Sequence, residues 1–343
     1  MGHRAGVKPD SADRAGSGWP SSPHEATRFI LQHLPDAAPV EGAPTEAERL
    51  ARADDPPVLV TPELIEGTTF TSIEVGDPRR LRGVSGFAAF LDGAQDIRVV
   101  NQAAGIPVVW ARVSATIRAR VNRRLVSWNG RPPIVSCRYY IPFAYVDGMR
   151  EDLRSDARVV DTLVADAKGG VPSRHPAALM EAAVKRVQQD RERIEQQLIE
   201  EWCTAGSGVL FVDGSVTSSA AGSASQLAVG VIKSHRRLYA EGDAFKVLVG
   251  LGAGHRSSIF TVAPQGRYRV ASWYVRLRAP AGRDALFGLV RVEAALGDDL
   301  SERANEISRW IIAEGSPLAL PDGRWDKMAY GIRNTEEFLR AIS

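Results

Sequence analysis

FAAFLDGA at residues 87–94 and VLFVDGS at residues 209–215 decide the fold. Each is a short apolar run closed by Asp-Gly, too short for a helix and bounded by a turn signal, and such runs read as buried strands. In each, a carboxylate (Asp92 or Asp213) falls at the carboxyl end of the strand, where the following glycine would let the chain turn without covering it. Asp-Gly is foremost a turn dipeptide, so one copy means little. Two copies, each behind a buried run, predict that adjacent strands bring both acids to one sheet edge. There their hard oxygens could hold divalent metal ions.

Working outward, IPVVWARVSATIRA (106–119) reads as a second extended stretch, and its spacing from the first suggests consecutive antiparallel strands rather than a βαβ unit. From Pro176 the period changes. Leu179, Ala182, Ala183, Val187, Ile194, Leu198, Ile199 and Trp202 recur at helical spacing, predicting a long helix that ends near Cys203. Strands follow in VLFV, QLAVGVIK, SSIFTV, ASWYVRLRA and LFGLVRVEAAL. Closing helices are expected over Ser301–Ala313 and Glu336–Ile342. Residues 1–60, rich in Ala, Pro, Gly, Asp and Arg, show one short helical pattern near Thr27–Leu34 and are expected to form a leader. The remainder, 61–343, reads as one domain.

The 343 residues, 44% hydrophobic and 24% charged with net charge +2, have ordinary globular composition and exclude collagen-like, coiled-coil and wholly disordered chains. So near-neutral a total means that an anionic partner must be met by a local basic patch. Cys137 and Cys203 form no C-x-x-C pair, so a zinc or redox site has no support and a reducing compartment is the simplest expectation. No signal-like or membrane-length apolar run appears, predicting a cytoplasmic protein without membrane contact.

Further candidates flank the two aspartates. Glu195 lies in the long helix among Ile194, Leu198 and Ile199. Glu192, Glu200 and Glu201 are equally acidic, however, and Glu195 could simply pair with Arg191 one turn back. Lys233 closes QLAVGVIK, where an ammonium beside acids could orient a scissile phosphate or a water. Arg118 and Arg120, Arg236 and Arg237, and Arg276 sit in basic stretches that would suit a phosphate backbone, although solvated strand edges carry the same pattern. VLVGLGAGHRSS (247–258) has glycines at 250, 252 and 254 but His255 where a dinucleotide fingerprint needs its third glycine. There is no P-loop sequence and no G-x-S-x-G elbow.

The order of these signals resembles a known family. FLDGA, a long helix carrying RERIE, VLFVDGS, AVGVIKSHRR, SWYVRLR with LVRVEA, and a Pro-Leu stretch before MAYGIRN look like the NurA nucleases, from about residue 84 to the end. The resemblance implies an α/β fold: an RNase H-like mixed β-sheet core flanked by helices, here with an N-terminal extension. It also implies a homodimer that cuts DNA with Mn²⁺ or Mg²⁺ beside a HerA-like hexameric ATPase, in DNA end processing or anti-phage defence. By that resemblance Asp92, Glu195 and Asp213 are metal ligands, Lys233 is the strand lysine, and Tyr330 is the late residue of a closing helix. The chain departs from the family in reading DGA at its first motif and in the long separation of Asp92 from Asp213, so about 130–175 is expected to be an insertion. A catalytically silent adaptor docking on the ATPase ring is the alternative, and an actin-like or sugar-kinase-like phosphotransferase a weaker one.

Overall fold

The computed structural model describes residues 19–34, 36–39, 57–77, 80–81, 85–163, 173–280, 283–315 and 327–341. Most of the expected leader, the segment 164–172 and the Pro-Leu stretch before Lys327 lie outside them. The strands that matter below are β1 (Phe87–Ala103), β2 (Ile106–Val121), β3 (Ile134–Ile141), β4 (Val209–Asp213), β5 (Ala228–Ile232), β6 (Val270–Arg276) and β7 (Leu289–Ala294). The helices that matter below are α1 (Pro23–His33), α2 (Pro176–Ala205), α3 (Ala220–Ala224), α4 (Asp243–Val249), α5 (Leu300–Glu314) and α6 (Tyr330–Ala341). This is an α/β protein built on a large mixed sheet flanked by helices, as the sequence led one to expect. No helix among the described residues is long and apolar enough to cross a membrane.

The chain divides into two compact units. The described residues within 1–52, 96–112 and 136–187 form one, and those within 53–95, 113–135 and 188–343 form the other. The expected insertion therefore falls mostly in the first unit, together with the N-terminal segment. The physical reason is α1. Ser22 caps it, accepting from the Glu25 amide, and Pro23 opens its first turn. Its apolar face (Ala26, Ile30, Leu34) is then buried in one core with Val100, Val108, Trp110, Tyr139, Ile141 and Val159. The Tyr139 hydroxyl donates to the Ala26 carbonyl at 2.7 Å, so the segment is part of a core and not a covering layer.

The sheet order is β6-β7-β5-β4-β1-β2, with the short strands Phe260–Val262 and Glu63–Leu64 beyond β6; of β1 and β2, the residues up to Gln95 and from Val113 belong to the second unit. β4 pairs parallel with both β1 and β5, whereas β7 pairs antiparallel with β5 and β6. β1 and β2 are joined by Ala104-Gly105, whose φ values of +48° and +81° suit a two-residue hairpin turn. Because side chains alternate across a strand, Val209 and Phe211 of β4, Val229 and Val231 of β5, and Val290, Val292 and Ala294 of β7 share one face. That face packs against Ile307, Ile311 and Ile312 of α5 and Ile332 of α6.

Helix α6 begins at Tyr330, six residues before the expected Glu336. The early turn was obscured by Gly331, yet its lack of a side chain is what seats the helix. A Cβ there would lie 2.4 Å from the buried Phe90 ring. Gly331→Ala should therefore overpack this contact and destabilise the fold by about 1–3 kcal/mol. An unchanged denaturant midpoint would refute the close packing.

Candidate active site

Parallel pairing of β4 with β1 sets Val212 beside Leu91, which places Asp213 next to Asp92 across the ladder. β5 continues the arrangement. Asp213 pairs with Val231, and two residues further on Lys233 reaches back, its Nζ 2.7 Å from Asp213 Oδ2. The expected meeting of the two aspartates thus occurs, and Lys233 joins it. Lys233 Nζ also lies 3.9 Å from Met328 Sδ, and its carbonyl accepts from Lys327 Nζ at 3.3 Å.

The two Asp-Gly sequences are not equivalent. Gly214 turns the chain at the end of β4 with φ +142°, as expected. Asp92-Gly93, by contrast, is no strand end, because β1 runs unbroken from Phe87 to Ala103. Gly93 serves a different purpose: a Cβ on it would lie 2.0 Å from Glu195 Oε1 and 3.2 Å from Arg191 Cγ. Residues 92 and 93 point to opposite faces of a strand, so α2 crosses the face away from Asp92. Only the missing side chain lets the Glu195 carboxylate come down onto the backbone beside Asp92. This also separates Glu195 from its neighbours. Glu192 is spent on Arg267 at the surface, Glu201 on Arg131 and Gln197, and Glu200 is exposed.

The electrostatics follow from this crowding. Asp92 is buried, and desolvation first, then the charges of Asp213 and Glu195, hold its carboxyl well above the usual range; Lys233 and the Gly93 amide oppose them. Glu195 is pushed up to about 7, chiefly by burial and also by Glu192 and Asp213, against the pull of Arg191. Arg191 Nη1 stands 3.4 Å from Glu195 Oε1, and that oxygen has no hydrogen-bond partner among the described residues. Asp92 and Glu195 are thus both held above the ordinary carboxylate range, opposed by Lys233 and Arg191 respectively.

The donor chemistry suits a hard divalent cation: carboxylate oxygens only, one of them buried without a hydrogen bond, over a glycine notch. Among the described residues, however, no three His, Cys, Asp or Glu side chains stand in metal-ligating arrangement. Asp213 has an ammonium on it.

The expected backbone-binding arginines divide. Arg236 and Arg237 are exposed just beyond Lys233. Arg276 is fully buried, and its guanidinium donates to the carbonyls of Phe287, Leu248 and Val249, closing the end of α4; it cannot meet a phosphate backbone. Arg118 donates to Leu125 O and stacks over Phe338, while Arg120 donates to Phe87 O and pairs with the buried Glu314. Their alternation on one strand face served folding contacts. Tyr330 opens α6 and is 64% exposed.

Sequence reasoning missed Gly93 as a notch. It also missed Glu293 on β7, which is 1% exposed and accepts from Ser215 and the Val216 amide in the turn after Asp213. The detectable signal was an acid inside the apolar alternation of LVRVEA. The sequence matches no protein-family model and no curated protein.

Two outcomes follow. Gly93→Ala should expel Glu195 from beside Asp92, and Glu195→Gln should alter the pH dependence of stability. Glu195 has a folded pKa of about 7 against an ordinary 4.5, so its contribution to stability is full below 4.5 and is lost as pH rises through about 7. The Gln variant should melt with the parent at pH 4 and above it at pH 8, by on the order of 3 kcal/mol without divalent ions. Identical melting curves at pH 8 would count against the burial of this carboxylate.

Proposed function

We propose that this chain is a divalent-metal-dependent deoxyribonuclease, hydrolysing phosphodiester bonds with low sequence specificity. The observation that carries the reading is the pairing of Asp92 with Asp213 on neighbouring strands, Lys233 bonded to Asp213 and Glu195 entering over Gly93, with Asp92 and Glu195 both held above the ordinary carboxylate range. A buried acidic group of this kind ionises most readily against a bound cation, and its cation affinity should rise with pH as the protons leave. Mn²⁺ or Mg²⁺ held by Asp92, Glu195 and Asp213 would supply Lewis-acid polarisation of the scissile phosphate and neutralise charge on the leaving oxygen.

The protein's own groups do the rest. Lys233 presents its ammonium at the same edge and can offset charge growing on the phosphate. The exposed Arg236 and Arg237 lie three and four positions further along the chain, where they can hold a DNA backbone without reading bases. The ordered motifs that resemble the NurA nucleases extend the proposal to a cytoplasmic homodimer working beside a HerA-like hexameric translocase, in DNA end processing or anti-phage defence. In that family resemblance Tyr330 keeps its proposed place as a late catalytic residue. The competing reading is a silent adaptor for the same ATPase ring, and the ammonium seated on Asp213 is the observation that favours it.

Full-length protein with Mn²⁺ and linear DNA should therefore degrade the DNA. Asp92→Asn and Asp213→Asn should each lower the rate by about 100-fold or more, the scale of losing one electrostatic element of a site, with melting temperature held or raised. Undiminished cleavage in either variant would remove the nuclease reading. Stimulation of a partner ATPase without cleavage under any divalent ion would establish the adaptor.

A further inference from the structure

The turn that follows Asp213 is held from outside the acidic site. Gly230 on β5 has no side chain, and a Cβ there would lie 2.7 Å from the Gly214 carbonyl oxygen and 3.1 Å from the Val216 nitrogen. The turn thus folds flat onto β5, on the face opposite the Asp213 side chain. Register places Glu293 of β7 beside Gly230 on that same face. Its Oε2 accepts from the Ser215 hydroxyl at 2.7 Å and from the Val216 amide at 3.1 Å, while Oε1 accepts from Arg291 Nη1 at 2.8 Å. With its one proton given to Glu293, the Ser215 oxygen is left to accept from Thr217, whose amide stands 3.2 Å away and whose hydroxyl stands 2.7 Å away.

The other end of the segment is fixed on α2. Ser219 caps α3 by accepting from the Gly222 amide at 3.0 Å. A Cβ on Gly222 would lie 2.7 Å from Ile199 Cγ2. Ile199 is one helical turn beyond Glu195. Residues 214–222 therefore form a short brace clamped by Glu293 at one end and by the Glu195-bearing stretch of α2 at the other. A fully buried carboxylate is an expensive fastener where apolar packing could serve, and this one touches none of the three site acids.

We propose that Glu293 is a positioning residue: through the Ser215–Val216 turn it sets where Asp213, and through α3 where Glu195, present their carboxylates. The proposal rests on the nuclease reading for its catalytic consequence but not for its structural one, so two readouts on the full chain separate them. The first is hydrogen exchange across 213–218, and the second is the Mn²⁺ concentration giving half-maximal DNA cleavage. Glu293→Ala should speed exchange of the Val216 amide and raise the Mn²⁺ requirement by about 10-fold or more, as losses of groups that orient metal ligands do. Ser215→Ala should move both readouts in the same direction by less, and the double variant should be no worse than Glu293→Ala alone, because the two residues act through one contact. Glu293→Gln, which keeps an acceptor oxygen for Ser215 and Val216, should restore exchange protection and most of the cleavage. It also keeps the test alive if the alanine variant fails to fold. A loosened turn with an unchanged Mn²⁺ requirement, or additive effects of the two single substitutions, would overturn the proposal. If the parent protein cleaves no DNA, the nuclease reading fails, and exchange alone then decides whether Glu293 holds the turn.

Discussion

Everything at the candidate site depends on the parallel pairing of β4 with β1. That ladder puts Asp213 beside the buried Asp92, and burial together with the charge of Asp213 holds the Asp92 carboxyl well above its usual range. The surrounding features answer this constraint. β5 delivers Lys233 to Asp213, the Gly93 notch admits Glu195 from the opposite face, and Arg191 accompanies it. Without the pairing, each of these residues would be an ordinary strand-end or helix-surface charge.

Much of this was legible in the sequence because the signals were local. The apolar runs before Asp92 and Asp213, the helical period from Pro176 and the strand closed by Lys233 all rest on side-chain periodicity, which needs no tertiary information. The structure matches them closely, with α2 ending two residues beyond Cys203 and α5 spanning Leu300–Glu314. Glu195 was readable only as one acid among four. What singles it out is the absence of a side chain at position 93, more than a hundred residues away.

The misreadings share a cause. Asp-Gly was taken for a turn at both positions because the dipeptide carries that local preference, but β1, flanked by β4 and β2, runs on as strand through 92–93. Arg276 looked like a phosphate contact because alternation alone cannot tell an outward face from one covered by α4. The helix near Thr27–Leu34 was seen, yet its burial with Tyr139 and Val159 depends on contacts distant in sequence.

The seat of α6 reaches further than its own packing. Gly331 rests on Phe90, and Phe90 lies two residues before Asp92 on the same strand. Shortening the chain from its carboxyl end past Tyr330 would therefore strip the cover from that aromatic ring and loosen the strand on which the first acid is mounted. The terminal helix is better regarded as a buttress than as a dispensable tail.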